Sequence, residues 1–178
     1  MYRLLPPRQK GGAWTEEVLH RFQGSLGGES PSGGVVFDGN GDLYGATSAG
    51  GSGCASGGCG IVFRLAGPRW TETVIYGFTN RSDGAEPSGG LVFDKMGNLY
   101  GTTFEGPGYG GEVFELSPPA MQGDPWTETT LYDFKDSKDG FGPLGGLILG
   151  KDGALYGTTS LGNNNNEYGN GSVFRIVP

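Results

Sequence analysis

Three loops of the sequence carry carboxylates at repeated positions. SLGGESP, RSDGAEP and SKDGFGP each end on a proline, Pro31, Pro87 and Pro143, and counting back from it puts Asp83 and Asp139 at matching places, with Gly27 in the remaining copy. Glu29 and Glu86 stand beside the same prolines. Carboxylates that converge on one opening can hold Ca²⁺, or raise one another's pKa until one serves as a general base. That chemistry suits hydrolysis of a small ester, lactone or sugar, with Glu86, Glu29, Asp83 or Asp139 as the catalytic group. Each residue also has a plainer use, because Asp-Gly favours turns and a loop glutamate is ordinarily solvated.

A second cluster of oxygens lies in Asp38-Gly39-Asn40-Gly41-Asp42. Alternating carboxylate and amide oxygens suit calcium, which makes Asp38, Asn40 and Asp42 candidate metal ligands. The matching turns, Asp94-Lys95-Met96-Gly97-Asn98 and Gly150-Lys151-Asp152-Gly153-Ala154, lose oxygens but keep the glycine, as a hairpin turn with positive φ requires.

Three further loops differ in length and content: SAGGSGCASGGCG, FEGPGYGG and SLGNNNNEYGNGS. Variable loops on a constant scaffold are where function usually sits. Phe104, Tyr109, Phe141 and Tyr168 offer flat apolar faces there, while Glu105, Asn165 within the run Asn163 to Asn166, and Glu167 offer hydrogen bonds. Such a mixture suits a sugar or another small polar ligand, and it also suits a solvated rim. The single histidine, His20, matches Tyr76 and Tyr132 and reads as an aromatic packing position, so no Ser-His or Cys-His catalytic pair is expected. Cys54 and Cys59 have no counterparts in the other copies; they are compatible with a loop disulfide or with two free thiols.

The elements that must position these loops are repeated. The block GGLVFDKMGNLYGTT at 89–103 recurs as GGVVFDGNGDLYGAT at 33–47 and GGLILGKDGALYGTT at 145–159. A Trp-led word begins at Trp14, Trp70 and Trp126, again 56 residues apart, and a VF word begins at Val62, Val113 and Val173. Period-two alternation and β-branched or aromatic content make each repeat four strands, PSGGLVFD, GNLYGTT, GxVFEL and WTETVIYGF, with no helical period anywhere. Repeats of this length with four strands read as propeller blades. The apolar-D-x-x-G-N-L-Y hairpin is similar to the innermost pair of propeller families that carry it, and that resemblance implies a Gly-Gly word that is innermost and a Trp word that is outermost, its Thr and Glu residues (Glu72, Glu128) exposed.

The expected organisation is one all-β domain over 1–178, with N-terminal closing strands at 1–22 and repeat blocks at 33–78, 89–134 and 145–178. MYRLLPPRQKGGAWTEEVLHRF aligns without gaps on VFELSPPAMQGDPWTETTLYDF, so the chain runs from third and outer strands, through two full repeats, to inner, second and third strands. Three blades are too few to close a ring, but two chains supply six. The expectation is a two-fold homodimer in which Trp14 to Phe22 of one chain completes the last blade of the other. The alternative is a piece of a longer propeller.

A net charge of −7 and a pI near 4.6 exclude a basic surface for nucleic acid or anionic lipid, and no apolar run reaches membrane-spanning length. The first residues lack the apolar stretch of a secretory signal. With 35% hydrophobic residues the chain has enough apolar content for a packed core.

Together, WTET, GGLVFD, GNLYGTT and GxVFEL resemble the GloVer-type (Gloeo/Verruco) tandem repeat family of bacterial, often secreted proteins, across essentially the whole chain. That resemblance implies a repeat β-architecture and an extracytoplasmic location, and supplies no catalytic motif. The D-x-x-G-N-L-Y hairpin is also similar to that of calcium-dependent six-bladed lactonases, although the histidine dyads of some propeller lactonases cannot be built here. The expected function is a Ca²⁺-dependent, lactonase-like hydrolase. The alternatives are a carbohydrate- or protein-binding module and a structural repeat fragment.

Overall fold

The computed structural model describes residues 1–54, 57–121, 123–135, 140–162 and 169–178. Asp139, Asn165, Glu167 and Tyr168, with the rest of Asn163 to Asn166, lie outside the described residues. The described chain is all-β, with several antiparallel sheets and no closed ring. The first full sheet runs β3 (Glu29–Phe37), β4 (Leu43–Ala49), β5 (Ile61–Ala66), β6 (Thr71–Gly77) in spatial order. In the second, β9 (Leu99–Glu105), β10 (Glu112–Ser117) and β11 (Thr127–Asp133) follow an inner strand broken into β7 (Ala85–Pro87) and β8 (Val92–Phe93), both paired to β9. The third sheet is β12 (Ile148–Leu149), β13 (Leu155–Thr159), β14 (Ser172–Ile176), three strands rather than four. The four sequence words thus lie side by side in chain order, inner to outer.

The Gly-Gly words of neighbouring sheets approach closely. Gly33 has φ +69°, and a Cβ there would sit 2.6 Å from the backbone of Gly89; Gly89 in turn abuts Gly145 and Gly146. Backbones this close admit no side chain, so the Gly-Gly words meet at the crowded inner edge of the sheets. Hydrogen bonds tie the sheets there: Ser32 Oγ donates to Pro87 O at 2.5 Å, and Ser88 Oγ to Pro143 O at 2.6 Å.

The core lies between sheets. Phe63, Leu65, Phe114, Leu116 and Leu155 are fully buried. A repeated edge-to-face aromatic contact joins each Trp-word phenylalanine to the VF word of the following sheet: Phe22–Phe63 at 4.9 Å, Phe78–Phe114 at 5.2 Å and Phe134–Phe174 at 5.2 Å.

One expectation is corrected. The glutamates of the Trp words are not outward-facing. In β6 and β11 the flanking threonines, such as Thr71 and Thr73, are exposed, and alternation carries Glu72 and Glu128 to the other face, where both are half-buried. In the single chain the N-terminal segment is paired with itself. β1 (Tyr2–Leu5) and β2 (Thr15–Val18) form a hairpin with Arg3 opposite Glu17 and Leu5 opposite Thr15. Met1, Leu19 and Phe22 pack against the first sheet, covering Leu43, Ile61, Phe63 and Leu65.

Candidate functional site

The loops after the outer strands and those after the second strands meet at one end of the sheets, as the repeat pattern requires. Gly51 N donates to Ser25 O at 2.7 Å, and Asn80 Nδ2 to Glu105 Oε2 at 3.2 Å. Between the latter pair of loops lies a cavity of about 470 Å³ lined by Asn80, Arg81, Phe104, Glu105, Gly106, Pro107 and Tyr109. Three predicted ligand-binding residues, Phe104, Glu105 and Tyr109, therefore share one pocket. Tyr109 is 94% exposed and sits at φ +65°, with its N–H donating to Gly106 O at 2.9 Å. A non-glycine residue in left-handed backbone is held there by its surroundings, and here the turn presents the ring to solvent. Phe104 rests against Gly142 of the next repeat, where a Cβ would come within 3.2 Å of the ring. Asn80 and Arg81 were missed by sequence reading, because no matching loop repeats them.

Asp83 lies elsewhere. It is 4% exposed and accepts from Tyr76 Oη at 3.0 Å, Thr79 N at 2.9 Å, Thr79 Oγ1 at 2.6 Å and Arg81 N at 3.3 Å. A carboxylate so filled shapes its loop and has no free lone pair aimed at a substrate. Glu86 is exposed at φ +56°, a backbone state that Ser30 and Gly142 share at the matching positions. The state points the Glu86 N–H at Cys59 O, 2.9 Å away in the preceding repeat, and Gly142 N makes the same bond to Gly110 O. Its backbone thus serves the joint between sheets. Glu29 lines a different cleft of about 370 Å³, with Met1, Tyr2, Val18, Arg21 and Phe22. Of the described catalytic candidates, Asp83 is buried among its own loop's donors and Glu29 lines a cleft that Glu86 and Asp83 do not. Phe141 pairs with Leu161 and packs on the core between the second and third sheets, away from the pocket lining.

The turn at Asp38 is filled from within. Asp38 Oδ1 accepts from the N–H groups of Asn40 and Asp42, each at 2.9 Å, and Oδ2 meets Tyr44 Oη at 3.4 Å. Burial pushes this carboxyl up, but the two backbone N–H groups outweigh it and hold it below the ordinary range. Asp42 points to Arg64, whose Nε donates to Oδ2 at 2.8 Å. Asp94 repeats the arrangement with Met96 and Asn98 N–H, so the shared feature is an Asx-type hairpin turn. Among the described residues no group of three or more His, Cys, Asp or Glu is arranged to hold a metal ion. Cys54 and Cys59 are joined as a disulfide, closing the loop between β4 and β5.

The strongest electrostatic perturbation falls on Glu112, which the repeat words do not single out, and on Glu128, expected from sequence on an exposed face. Glu112 is fully buried and stands where the other VF words have Ile61 and Ser172, an exception to the repeat that could have flagged it. Its Oε2 accepts from Thr130 Oγ1 at 3.1 Å, and its Oε1 is buried without a partner. Burial, then the neighbouring Glu128, pushes its pKa up to about 8; burial and Asp83 push Glu128 up to about 7. These carboxyls sit between the first and second sheets, apart from the pocket lining.

No curated protein matches the chain. The signature of the Gloeobacter/Verrucomicrobia repeat matches residues 2–178. Its span takes in the hairpin and all three sheets, and the chain belongs to the Gloeobacter/Verrucomicrobia repeat family.

Proposed function

We propose that this chain is a non-catalytic propeller module that binds a sugar or similar small polar ligand between the loops at 79–84 and 104–109. The observation that carries the reading is the pocket itself. Two aromatic faces, Phe104 and Tyr109, stand with an amide, a guanidinium and a carboxylate from Asn80, Arg81 and Glu105 around one opening. Stacking faces with a few fixed polar groups are what a ring bearing hydroxyls needs. Binding is favoured over the lactonase-like hydrolysis expected from sequence, because Asp83 has its oxygens filled, Glu29 lines a separate cleft, and neither Glu86 nor Asp83 lines that cleft or the pocket. Calcium plays no part in this reading, since Asp38 Oδ1 accepts from two backbone N–H groups and Oδ2 from the Asn40 and Tyr44 side chains.

The sheets are read as part of a six-bladed ring closed by a second copy. The faces at the two ends of the stack support this. Val173 is 79% exposed and Val35 45% exposed, whereas their matching residues are buried: Val62 and Val113 at 0%, Leu91 at 8% and Leu147 at 7%. The disulfide suits an oxidising compartment, and the module is placed outside the cytosol.

The test of the ligand site is titration of the full chain with a panel of neutral and acidic mono- and disaccharides, read by saturation-transfer NMR. At least one sugar is expected to bind, and Tyr109→Ala or Phe104→Ala should weaken it tenfold or more with an unchanged melting temperature. No binding across the panel, or binding indifferent to both substitutions, would overturn the reading.

A further inference from the structure

The inference rests on ring closure by a second copy. In that setting two strands claim one position. Every Trp word in the described structure pairs with a VF-type word in one register: Arg64 opposite Thr73 in the first sheet, Glu115 opposite Thr129 in the second, and Arg3 opposite Glu17 in the N-terminal hairpin. β1 therefore occupies the third-strand position beside β2, and Met1 takes the seat on the first sheet that Val113 takes on the third. β14 carries the same word, with Val173 matching Met1 and Arg175 matching Arg3, and among the described residues no strand is paired to its outer edge.

We propose that β14 of a second copy displaces β1 and pairs with β2, so that β12, β13, β14 and β2 make one complete four-stranded sheet shared by two chains. β1 is then a stand-in that protects the β2 edge while the chain is alone. Three observations favour exchange over simple stacking of the hairpin on the third sheet. The hairpin lacks the two inner strands that β12 and β13 would supply, and their place beside β1 is the open cleft reaching to Glu29. Val173 and Ile148, 79% and 70% exposed, lie on the third sheet at positions whose counterparts are buried or half-buried against a following sheet. Glu17 also pairs with Arg3 at 2.8 Å in the hairpin, and Arg175, which already bonds Asp152 and Tyr156 in its own sheet, carries the same charge at the same register position. By contrast β1 shows four exposed residues along its length and is the less buried of the two claimants. The two-fold operation uses both exchanges, closing six sheets with no strand edge left open at either joint.

Light scattering on the full chain reports ring closure, and cysteine pairs report which strand lies beside β2. Under mild oxidation Glu17→Cys with Arg175→Cys is expected to give a covalent dimer as the main product. Glu16→Cys with Arg175→Cys, one register step away, should give several-fold less. A dimeric mass with no 17–175 cross-link, but with an intrachain bond in Arg3→Cys with Glu17→Cys, would overturn the exchange and leave ring closure standing. A single-chain mass with no 17–175 cross-link would overturn both. Val173→Asp is expected to shift the mass from two chains to one without lowering the melting temperature of the monomer, and a dimer unaffected by it would count against β14 as the paired strand.

Discussion

The seam where the N-terminal hairpin meets the first sheet and the seam between the first and second sheets are built from matching positions, yet they handle buried charge differently. At the first, Glu72 is half-buried and His20 Nε2 lies 3.0 Å from its Oε2. At the second, Glu128 matches Glu72 and Tyr76 matches His20, and Asp83 stands where the first seam has Gly27. Fully buried Glu112 joins them, with Asp133 also near enough to raise its pKa. An imidazole can answer a carboxylate with a positive charge; a phenol cannot. The second seam therefore favours the protonated form of Glu112 and Glu128, and its cohesion rests on the apolar stack of Phe78 on Phe114. The lesson is that one backbone slot can be built as a histidine–carboxylate contact or as a cluster of acids with raised pKa values, provided an aromatic stack lies beside it.

The largest expected effect comes from breaking that stack. Phe78 is fully buried, so Phe78→Ala should cost about 3–5 kcal/mol, whereas the matching Phe22, only half-buried against Phe63, should cost less than half as much. Urea unfolding of the two variants gives the comparison, and equal losses would mean that the seams are mechanically alike.

A smaller effect separates the seams by pH. The folded pKa of Glu112, about 8, lies above its ordinary value of 4.5, so the stabilisation linked to its proton is complete below about 4.5 and is lost as pH rises through 8. A tenfold change in proton affinity is worth about 1.4 kcal/mol, which makes the loss by pH 9 a few kcal/mol. Glu112→Gln keeps the shape and removes the titration. Its melting temperature, followed by circular dichroism at pH 5, 7 and 9, should fall much less than that of the parent, with a residual slope from Glu128. An equally steep fall would locate the pH dependence elsewhere.

The smallest effect sharpens the first seam. Burial raises the Glu72 pKa and His20 lowers it, so His20→Tyr should push that carboxyl further up while changing stability by less than about 1 kcal/mol. Titration of the Glu72 carboxyl by carbon-13 NMR reads the change, and an unmoved midpoint would show that the pair does not interact.

Much of the framework was legible because it is repeated. Trp14, Trp70 and Trp126 mark the outer strands, and the Gly-Gly pairs mark a close inner approach that the Gly33 to Gly89 contact bears out. Phe104, Glu105 and Tyr109 were legible as loop residues of differing chemistry. What misled was any residue whose role depends on which way a loop turns. Asp83 looks like a site carboxylate until its side chain is seen to fold back on Thr79 and Arg81. Glu128 looks exposed until the sheet beside it is in place.

The sequence by itself determined the strand words, their order within each sheet and the repeat family, because period-two alternation and recurring turns act over a few residues and leave few alternatives. Only the tertiary structure decided which oxygens are free, which acids share a seam and which strand now lies beside β2. Some of those contacts are local, as where Thr79 and Arg81 fill Asp83, and others join distant segments, as where Phe22 meets Phe63; in both, packing and desolvation choose among side-chain directions that local sequence leaves equal.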